Sequence, residues 1–517
     1  MGRGKAGADH RAMDPEVGHR VTTPGSDFLQ LEIGAAPVGG RADWLAAQLR
    51  LAIADGRVPV GSRLPASRVL AGELGVSRGV VTEAYQRLVE DGHVAGRGRG
   101  GTVVLAAGLP TAPRSRPPGP VAGPAPAPAG FPATPSGPGM LFGTAPGTDI
   151  FEALRAAPAR IDLSPGVPDL AAFPRAAWLR AERTVLDALA PADLGYGDPR
   201  GAAALRSAAA DWLARFRGIR ADPDELLIVA GVSQALALLA RVLVRDGIRQ
   251  VAVEDPGSLG ARQHLRNWGL DTPPVPVDPA GLRVDELARG GAPAVMVTPA
   301  HQFPTGVVLG GDRRRALIRW AEAGGLVVED DYDAEHRYDR PPVPALRAVL
   351  PEGVCYTGSV SKLLAPALRI GWMLAPSRYR DDLVAAKRDA DLGNAVLPQL
   401  VLAELMRSGG MERHLRLLRR RHVRRRDTMI RAIATHLPGT VVHGAAAGLH
   451  LMVTLTADLA DVDLAAAALA RGVKVQPLSW HCQRPYRPGL VLGYAATAAG
   501  EIEEGVAAIG AALRGLR

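Results

Sequence analysis

The sequence has few cysteines, few aromatic residues and no long apolar run. Its two cysteines, Cys355 and Cys482, lie far apart and predict neither a disulfide framework nor a metal site. Aromatic residues make up only 4% of the chain, although hydrophobic residues make up 47%, enough for a large core. No apolar run is long enough to span a bilayer, and residues 1–27 lack the apolar core of a signal peptide. We therefore expect a soluble cytoplasmic protein that begins with a disordered extension over residues 1–27.

A general excess of positive charge is also missing from most of the chain, despite a net charge of +9. Residues 1–104 contain 13 Lys or Arg against 11 Asp or Glu, whereas residues 411–431 contain nine Arg against Glu412 and Asp427. Most of the excess therefore lies on one predicted helix, Arg413 to Arg431. We interpret this stretch as a solvated helix face, with contact to DNA phosphates as the alternative.

Residues 28–105 predict three short helices followed by two strands. The first helix covers residues 42–55, where leucines and other apolar residues recur on one face. A second helix over residues 67–74 and a third from Ser77 to about residue 90 are joined by a tight glycine turn, which is typical of a helix-turn-helix. Two strands with a glycine-rich tip over residues 96–101 follow, and they predict a wing.

This segment resembles the winged helix-turn-helix of the GntR regulators. The residues that carry the resemblance are Gly61, Leu64-Pro65, Arg68, Leu70-Ala71, Leu74-Gly75-Val76-Ser77-Arg78, Ala84-Tyr85, Leu88 and Gly92. It implies an α+β domain that binds double-stranded DNA, with Ser77 at the start of the recognition helix, where backbone N–H groups favour phosphate. The candidate DNA-binding residues are Arg68, Ser77, Arg78, Gly79, Thr82, Arg97 and Arg99. The alternative is a three-helix unit that binds no DNA.

Residues 106–148 are rich in Pro, Ala and Gly and show neither helical nor strand periodicity. This composition predicts a semi-rigid, partly extended linker between two domains. Such a linker would let the first domain reach a partner subunit or a second DNA half-site.

Residues 149–517 alternate short apolar runs with helical patterns. The strand-like runs are residues 226–230, 251–253, 294–298 and 325–329. This alternation predicts an α/β domain with a largely parallel sheet covered by helices. Functional residues are then expected at the carboxyl ends of the strands.

A lysine among small hydroxyl residues makes residues 356–372 the most informative stretch. Lys362 follows Ser359 and Ser361, and Arg369 comes seven positions later with almost no other charge nearby. A lysine in a desolvated pocket loses its proton readily and acts as a nucleophile, while hydroxyls and a guanidinium suit a phosphate. These are the groups that pyridoxal 5'-phosphate (PLP) needs. The alternative is a surface lysine in a Ser/Gly loop.

A second candidate motif lies at residues 230–235, where a strand ends and a helix begins. The backbone N–H groups around Val232, together with Ser233, are placed to bind a phosphate there. Taken alone, this motif is not specific.

A third motif is the acidic run at residues 329–333, which ends another strand. Alternation along the strand places Asp330 and Tyr332 on the same side. We predict that Asp330 pairs with the pyridine nitrogen of PLP and Tyr332 with its phenolic oxygen, and Asp331 is the rival for the nitrogen. The alternative is an acidic surface turn.

Residues 160–517 resemble the fold-type I PLP enzymes, the aspartate aminotransferase superfamily. The matching motifs, in the expected order, are residues 163–169, 173–174, 196–201, 254–257, 298–306 and the lysine segment. Behind a GntR domain, this domain resembles that of the MocR/GabR regulators and their PdxR-like branch. The resemblance implies a mostly parallel sheet with helices on both faces, a small C-terminal α+β subdomain, and Lys362 as the Schiff-base lysine. It also implies a head-to-tail homodimer in which Tyr196 reaches the PLP phosphate of the partner.

Three positions depart from the aminotransferase pattern. Ser258 stands where an aromatic ring usually stacks on the cofactor, and Phe303 stands where an asparagine is usual, so His301 is the candidate for a replacement contact. Near Val491, where transaminases place an arginine for the substrate carboxylate, the strand is apolar. Without that pairing an amino-acid substrate is poorly positioned. The nearest arginines, which we do not expect to substitute, are Arg484 and Arg487.

Together these features favour a PLP-dependent transcription regulator that senses PLP itself or an amine that attacks the lysine-bound cofactor. The missing arginine favours PLP as the signal, with at most weak transaminase activity, and the resemblance to the PdxR-like branch implies control of vitamin B6 synthesis. One alternative is a working aminotransferase with an accessory DNA-binding domain, which sustained transamination would reveal. The other is a regulator that has lost PLP. DNA binding would place the protein at the bacterial nucleoid.

Overall fold

The computed structural model describes residues 36–37, 40–54, 58, 61–90, 93–96, 101–105, 141–143, 145–338, 343–456 and 459–516. The chain divides into two compact units, Met1–Gly123 and Pro124–Arg517. The predicted N-terminal extension lies outside the described residues, as do residues 106–140 of the predicted linker. Within the described ranges, no helix combines the length and the apolar composition needed to cross a bilayer.

The first unit is a winged helix-turn-helix, as predicted. Its elements are α1 (Arg41–Ala54), α2 (Ser67–Glu73), α3 (Arg78–Glu90), β1 (Val94–Gly96) and β2 (Thr102–Val104). Leu49 of α1, Leu70 of α2 and Leu88 of α3 are fully buried in one core. Gly75 has a φ of +62° between α2 and α3, a conformation that few other residues adopt, and so permits the tight turn. The two strands pair antiparallel to form the wing.

The second unit is built on an eight-stranded sheet with the order β4-β11-β10-β9-β8-β5-β6-β7. Strands β6, β5, β8, β9 and β10 are parallel, β11 is antiparallel to both of its neighbours, and β7 is antiparallel to β6. The strands are β4 (Leu227–Val229), β5 (Ala252–Asp255), β6 (Pro274–Asp278), β7 (Gly281–Leu282), β8 (Ala294–Val297), β9 (Leu326–Asp331), β10 (Val354–Ser359) and β11 (Gly371–Leu374). The predicted mostly parallel sheet is confirmed.

Helices cover both faces of this sheet. The alternation of strand side chains sends Val327 and Val328 of β9 into two different buried cores, one on each face. The helices before and within this part are α4 (Ile150–Ala156), α5 (Arg175–Ala188), α6 (Ala203–Arg217), α7 (Val232–Arg245), α8 (Leu259–Asn267), α9 (Val284–Gly290), α10 (Gly311–Glu322), α11 (Ser377–Asp391) and α12 (Val396–Arg407). The start of α7 and the loop after β10 therefore lie next to each other, because β4 and β10 both flank β11.

A smaller C-terminal subdomain packs around a four-stranded antiparallel sheet of order β12-β13-β16-β15. A short strand early in the unit, β3 (Ile161–Asp162), pairs with β14. The remaining elements are α13 (Gly410–His436), β12 (Val441–His443), β13 (His450–Thr454), α14 (Asp461–Ala470), β14 (Val473–Lys474), β15 (Gln476–Pro477), β16 (Gly489–Gly493) and α15 (Ala499–Leu516). Leu141 and Phe142, which the sequence assigned to the linker, are buried in this subdomain's core, where Phe142 stacks on Trp480.

Candidate cofactor site and DNA-binding face

Lys362 lies in the loop that follows β10, at the carboxyl end of the parallel strands. Its Nζ donates a hydrogen bond to the carbonyl oxygen of Gly166. Burial lowers the pKa of the Lys362 ammonium, and the negative charges of Asp330 and Asp333 oppose that shift. An amine in this position is closer to its neutral, nucleophilic form than a surface lysine.

Asp330 and Asp331 have different surroundings at the end of β9. Oδ1 of Asp330 is enclosed and, among the described residues, has no hydrogen-bond partner. Burial, and then the charges of Asp331 and Asp333, raise the pKa of the Asp330 carboxyl to about 7. Asp331 instead accepts hydrogen bonds through Oδ2 from Arg217 Nε and from the Tyr356 hydroxyl, each at 2.5 Å. Oδ1 of Asp331 also has no partner among the described residues, so the difference is that Asp331 is paired with a guanidinium through Oδ2 and Asp330 is not.

Tyr332, His301 and Asp333 form one hydrogen-bonded group beside Asp330. His301 Nδ1 lies 2.8 Å from Asp333 Oδ2 and 3.0 Å from the Tyr332 hydroxyl. Burial raises the pKa of Tyr332 well above its usual value, so this phenol stays protonated. Ligand atoms of His301, Asp333 and His450 lie within 4.8 Å of one another, but His301 is bonded to Asp333, and His450 Nε2 lies 3.1 Å from the Pro304 carbonyl oxygen. Hydrogen bonds therefore explain why these three side chains lie close together.

A candidate phosphate cradle lies at the start of α7, where Gly231 faces the side chain of Arg369. Gly231 has a φ of +81° there, and a Cβ at this position would lie 3.3 Å from Arg369 Nη1. Arg369 is itself in the left-handed region, with a φ of 52°, and donates a hydrogen bond to the Ala230 carbonyl oxygen. Ser359 Oγ accepts a hydrogen bond from the backbone N–H of Ser361 at 3.3 Å. The predicted phosphate-binding residues that the fold gathers here are Val232, Ser233, Ser359, Ser361 and Arg369.

These groups fit PLP. A nucleophilic amine, an unpartnered buried carboxylate and a cradle with an arginine are the three features that hold the aldehyde, the ring nitrogen and the phosphate of this cofactor. The cradle is also open, because Ser233 and Arg369 are exposed. Among the described residues, no carboxylate contacts Ser233 or forms an ion pair with Arg369.

The region expected to recognise a substrate carboxylate is apolar. Val491 of β16 is fully buried and packs with four other apolar side chains: Phe303, Met452, Leu478 and Cys482. Arg484 is engaged elsewhere, since its Nε lies 3.1 Å from Asp255 Oδ2. Ser258 caps α8 by accepting a hydrogen bond from the Ala261 N–H at 3.3 Å. The position of the usual stacking ring therefore holds a helix cap.

Tyr196, which the sequence also predicts to bind a cofactor phosphate, lies outside the group of cofactor-binding residues described above. It is 96% exposed, on the rim of a surface cavity of about 1230 Å³ that α5, α6 and α12 also line. Within its own subunit it is free to contact another molecule.

The predicted DNA-binding residues that the structure describes are all exposed. Ser77 directly precedes α3, whose first N–H groups have no partner within the helix. The exposed residues are Arg68 on α2 and Ser77, Arg78, Gly79 and Thr82 at the start of α3. Arg97 and Arg99, predicted at the wing tip, lie outside the described residues.

Sequence reasoning missed two residues near the cofactor site. Asp333 belongs to the acidic run that was singled out, and its spacing from Asp331 could have suggested a third buried carboxylate. Lys387, on α11, carries no motif, yet it is fully buried and hydrogen-bonded to Gln234 at the start of α7.

Comparisons with known proteins agree with this geometry. Residues 42–104 match the family model of bacterial regulatory proteins, gntR family, and residues 159–509 match that of aminotransferase class I and II. The chain is 32% identical over 463 residues to a probable rhizopine catabolism regulatory protein MocR of Rhizobium meliloti, covering 89% of this chain and 91% of the relative. It is 32% identical over 439 residues to the pyridoxine biosynthesis transcriptional regulator PdxR of Corynebacterium glutamicum, covering 84% and 87%.

Among solved structures, the second unit is similar to LysN, an α-aminoadipate aminotransferase from Thermus thermophilus. That structure contains N-(5'-phosphopyridoxyl)-L-leucine. The TM-score is 0.65 at 29% sequence identity, over 73% of this chain and 97% of LysN. The fold and the chemistry of the site thus both point to PLP as the cofactor. The chain belongs to the MocR-type transcription regulators, in which a gntR-family DNA-binding domain is joined to a PLP-binding domain of the class I and II aminotransferases.

Proposed function

We propose that PLP, bound covalently at Lys362, is itself the signal that changes the affinity of this regulator for its operator DNA. The observation that carries the proposal is the combination of a complete set of cofactor-binding groups with an apolar, closed surface at Val491. When bound, PLP supplies an aldehyde that reacts with amines and a ring that withdraws electrons. A site that binds the cofactor but presents only apolar side chains around Val491, among the residues that the structure describes, is suited to sensing and poorly suited to turnover.

Each group of residues has its own task in this proposal. Lys362 provides the amine, and its lowered pKa keeps the nitrogen available. Asp330 supplies the negative charge opposite the pyridine nitrogen, and Tyr332, held by His301, donates to the phenolic oxygen. The phosphate is bound by Arg369 together with Val232, Ser233, Ser359 and Ser361.

We also propose a homodimer in which Tyr196 contributes to the partner's phosphate site. Tyr196 is 96% exposed, and apolar side chains near it in sequence are exposed as well, namely Leu179, Leu186 and Leu194. A second copy of the chain would bury these side chains and bring the tyrosine to a site that it does not reach in its own subunit.

The DNA-binding part of the proposal rests on the exposed residues at the start of α3 and on Arg68. A domain over residues 28–105, joined through residues 106–148 to residues 149–517, would carry these contacts to the operator in the cytoplasm, at the nucleoid. The PdxR relative is a regulator of pyridoxine biosynthesis, which supports genes of vitamin B6 synthesis as targets. PLP would then regulate its own supply.

An aminotransferase with an accessory DNA-binding domain is the second candidate. It is favoured by the intact lysine site and by similarity to enzymes such as LysN. An amine effector that displaces Lys362 from the cofactor is a variant of the sensing proposal. Both differ from the first in needing an amine besides PLP.

The test is binding of the full-length protein to DNA from its own upstream region, with and without PLP, by fluorescence anisotropy. Wild type and Lys362→Ala are compared, and borohydride reduction followed by mass spectrometry locates the attached cofactor. We expect PLP to change the affinity of the wild type only, with the cofactor attached at Lys362. PLP attachment without any change in DNA affinity would contradict PLP as the signal. Sustained transamination of an amino acid would favour the enzyme.

A further inference from the structure

Lys387 is a buried cation that no part of the proposed mechanism uses. It lies on α11 and is fully buried, although lysine is rarely found in a protein interior. Its Nζ donates to Gln234 Oε1 at 2.8 Å, to Asp391 Oδ2 at 2.7 Å and to Asn394 Oδ1 at 2.5 Å. An ammonium group has three protons, so all of its donors are satisfied. Burial lowers the pKa of Lys387, and the hydrogen bond and charge of Asp391 oppose that shift.

One partner of Lys387 reaches the start of α7. Gln234 Oε1, which accepts from Lys387, also accepts from the backbone N–H of Ala230 at 2.8 Å. Gln234 Nε2 donates to Asp391 Oδ2 at 2.7 Å. Ala230 comes directly before Gly231, so these bonds determine where the backbone turns into the helix whose first N–H groups form the cradle.

The other partner reaches Arg369. Asn394 Nδ2 donates to the backbone carbonyl oxygen of Arg369 at 3.0 Å. Arg369 adopts a left-handed conformation with a φ of 52°, which a non-glycine residue holds only when its surroundings stabilise it. The bond from Asn394 is one such contact, and Lys387 orients Asn394 by binding its amide oxygen.

We propose that Lys387 is a positioning residue. It keeps the two halves of the phosphate cradle, the start of α7 and Arg369, in the correct position relative to each other. The inference rests on the proposed PLP site and adds to it. Lys387 does not touch the cofactor; it acts through Gln234 and Asn394. Its removal is therefore expected to weaken recognition of the phosphate more than recognition of the pyridine ring.

The test compares PLP with pyridoxal, which has the same ring and aldehyde but no phosphate. Both are titrated by absorbance into full-length wild type and Lys387→Met, a change that keeps length and removes all three donors. We expect the affinity for PLP to fall about 10- to 100-fold, as it does when groups behind a binding site are lost, and the affinity for pyridoxal to change less than about threefold. The preference for PLP over pyridoxal is the measured quantity.

Lys474 provides a matched control, since it is another buried lysine, 6% exposed, with Nζ 3.2 Å from the Arg155 carbonyl oxygen. Lys474→Met should leave the preference unchanged. If Lys387→Met does not fold, Asn394→Ala decides, because it removes the link from Lys387 to Arg369, leaves the bonds of Gln234 in place and should lower the preference in the same direction. An equal loss of both ligands, or an unchanged PLP affinity, overturns the inference. A lost preference in a protein whose DNA binding ignores PLP would leave the inference standing and reject PLP as the signal.

Discussion

Replacing Asp330 by asparagine should stabilise the cofactor-free protein and weaken its binding of PLP. The Asp330 carboxyl has a pKa raised by burial, and then by Asp331 and Asp333, from its ordinary 3.8 to about 7. Above that pH the folded protein holds an ionised carboxylate in surroundings that disfavour charge. An amide of the same shape removes the charge, and it also removes the proposed partner of the pyridine nitrogen.

The size of the stabilisation follows from the difference between the pKa values of Asp330 in the unfolded and the folded chain. Below pH 3.8 the carboxyl is protonated in both the folded and the unfolded chain, and its favourable contribution to folding is fully present. That contribution is lost as the pH rises towards about 7, because the unfolded chain ionises first. The loss amounts to at most about 4 kcal/mol, since one pH unit is worth about 1.4 kcal/mol. Urea denaturation of the cofactor-free protein between about pH 4 and pH 8 measures it.

Asp331→Asn is the matched control. Asp331 is the next residue of β9, but its carboxylate pairs with the buried guanidinium of Arg217. Removing that charge should destabilise the protein by about 3–5 kcal/mol, the opposite sign. The reasoning is refuted if Asp330→Asn is no more stable than wild type near pH 8, or if any gain is independent of pH. Unchanged PLP affinity in Asp330→Asn would refute its role opposite the ring nitrogen.

Three further predictions concern other parts of the molecule. Arg68→Ala and Arg78→Ala should each weaken DNA binding and lower the slope of log affinity against log salt by about 1, measured by anisotropy at several salt concentrations. Tyr196→Ala should leave the unfolding free energy within about 0.5 kcal/mol of wild type, because the side chain is exposed, but should weaken PLP binding in absorbance titrations. Phe142→Ala should destabilise the second unit by about 3–5 kcal/mol in urea denaturation, because Phe142 is 4% exposed and stacks on Trp480. A stability equal to wild type would contradict this packing.

Much of the fold could be predicted from the sequence because local patterns and global packing agree in this chain. The third helix was expected from Ser77 to about residue 90 and is found at Arg78–Glu90. The strand expected at residues 294–298 is found at Ala294–Val297. Apolar periodicity and glycine turns act within a few residues, so they can be read before any tertiary contact is known.

What could not be predicted depends on contacts between distant parts of the chain. The insertion of the antiparallel strand β11 between β4 and β10 follows from pairing across more than 140 residues. The different surroundings of Asp330 and Asp331 depend on Arg217, which lies 114 residues from Asp331. Lys387 sits 153 residues from Gln234 and has no neighbouring motif. Spacing alone carries no information about such partners.

The apolar cluster around Val491 also limits which substitutions this surface tolerates. An arginine at this position would enter a space already filled by Met452 and Leu478, and its guanidinium would be buried among apolar side chains. A single substitution by arginine at this position is therefore expected to destabilise the protein. A cation fits here only if neighbouring side chains become smaller at the same time, so side-chain volume, and not charge alone, sets what this surface can hold.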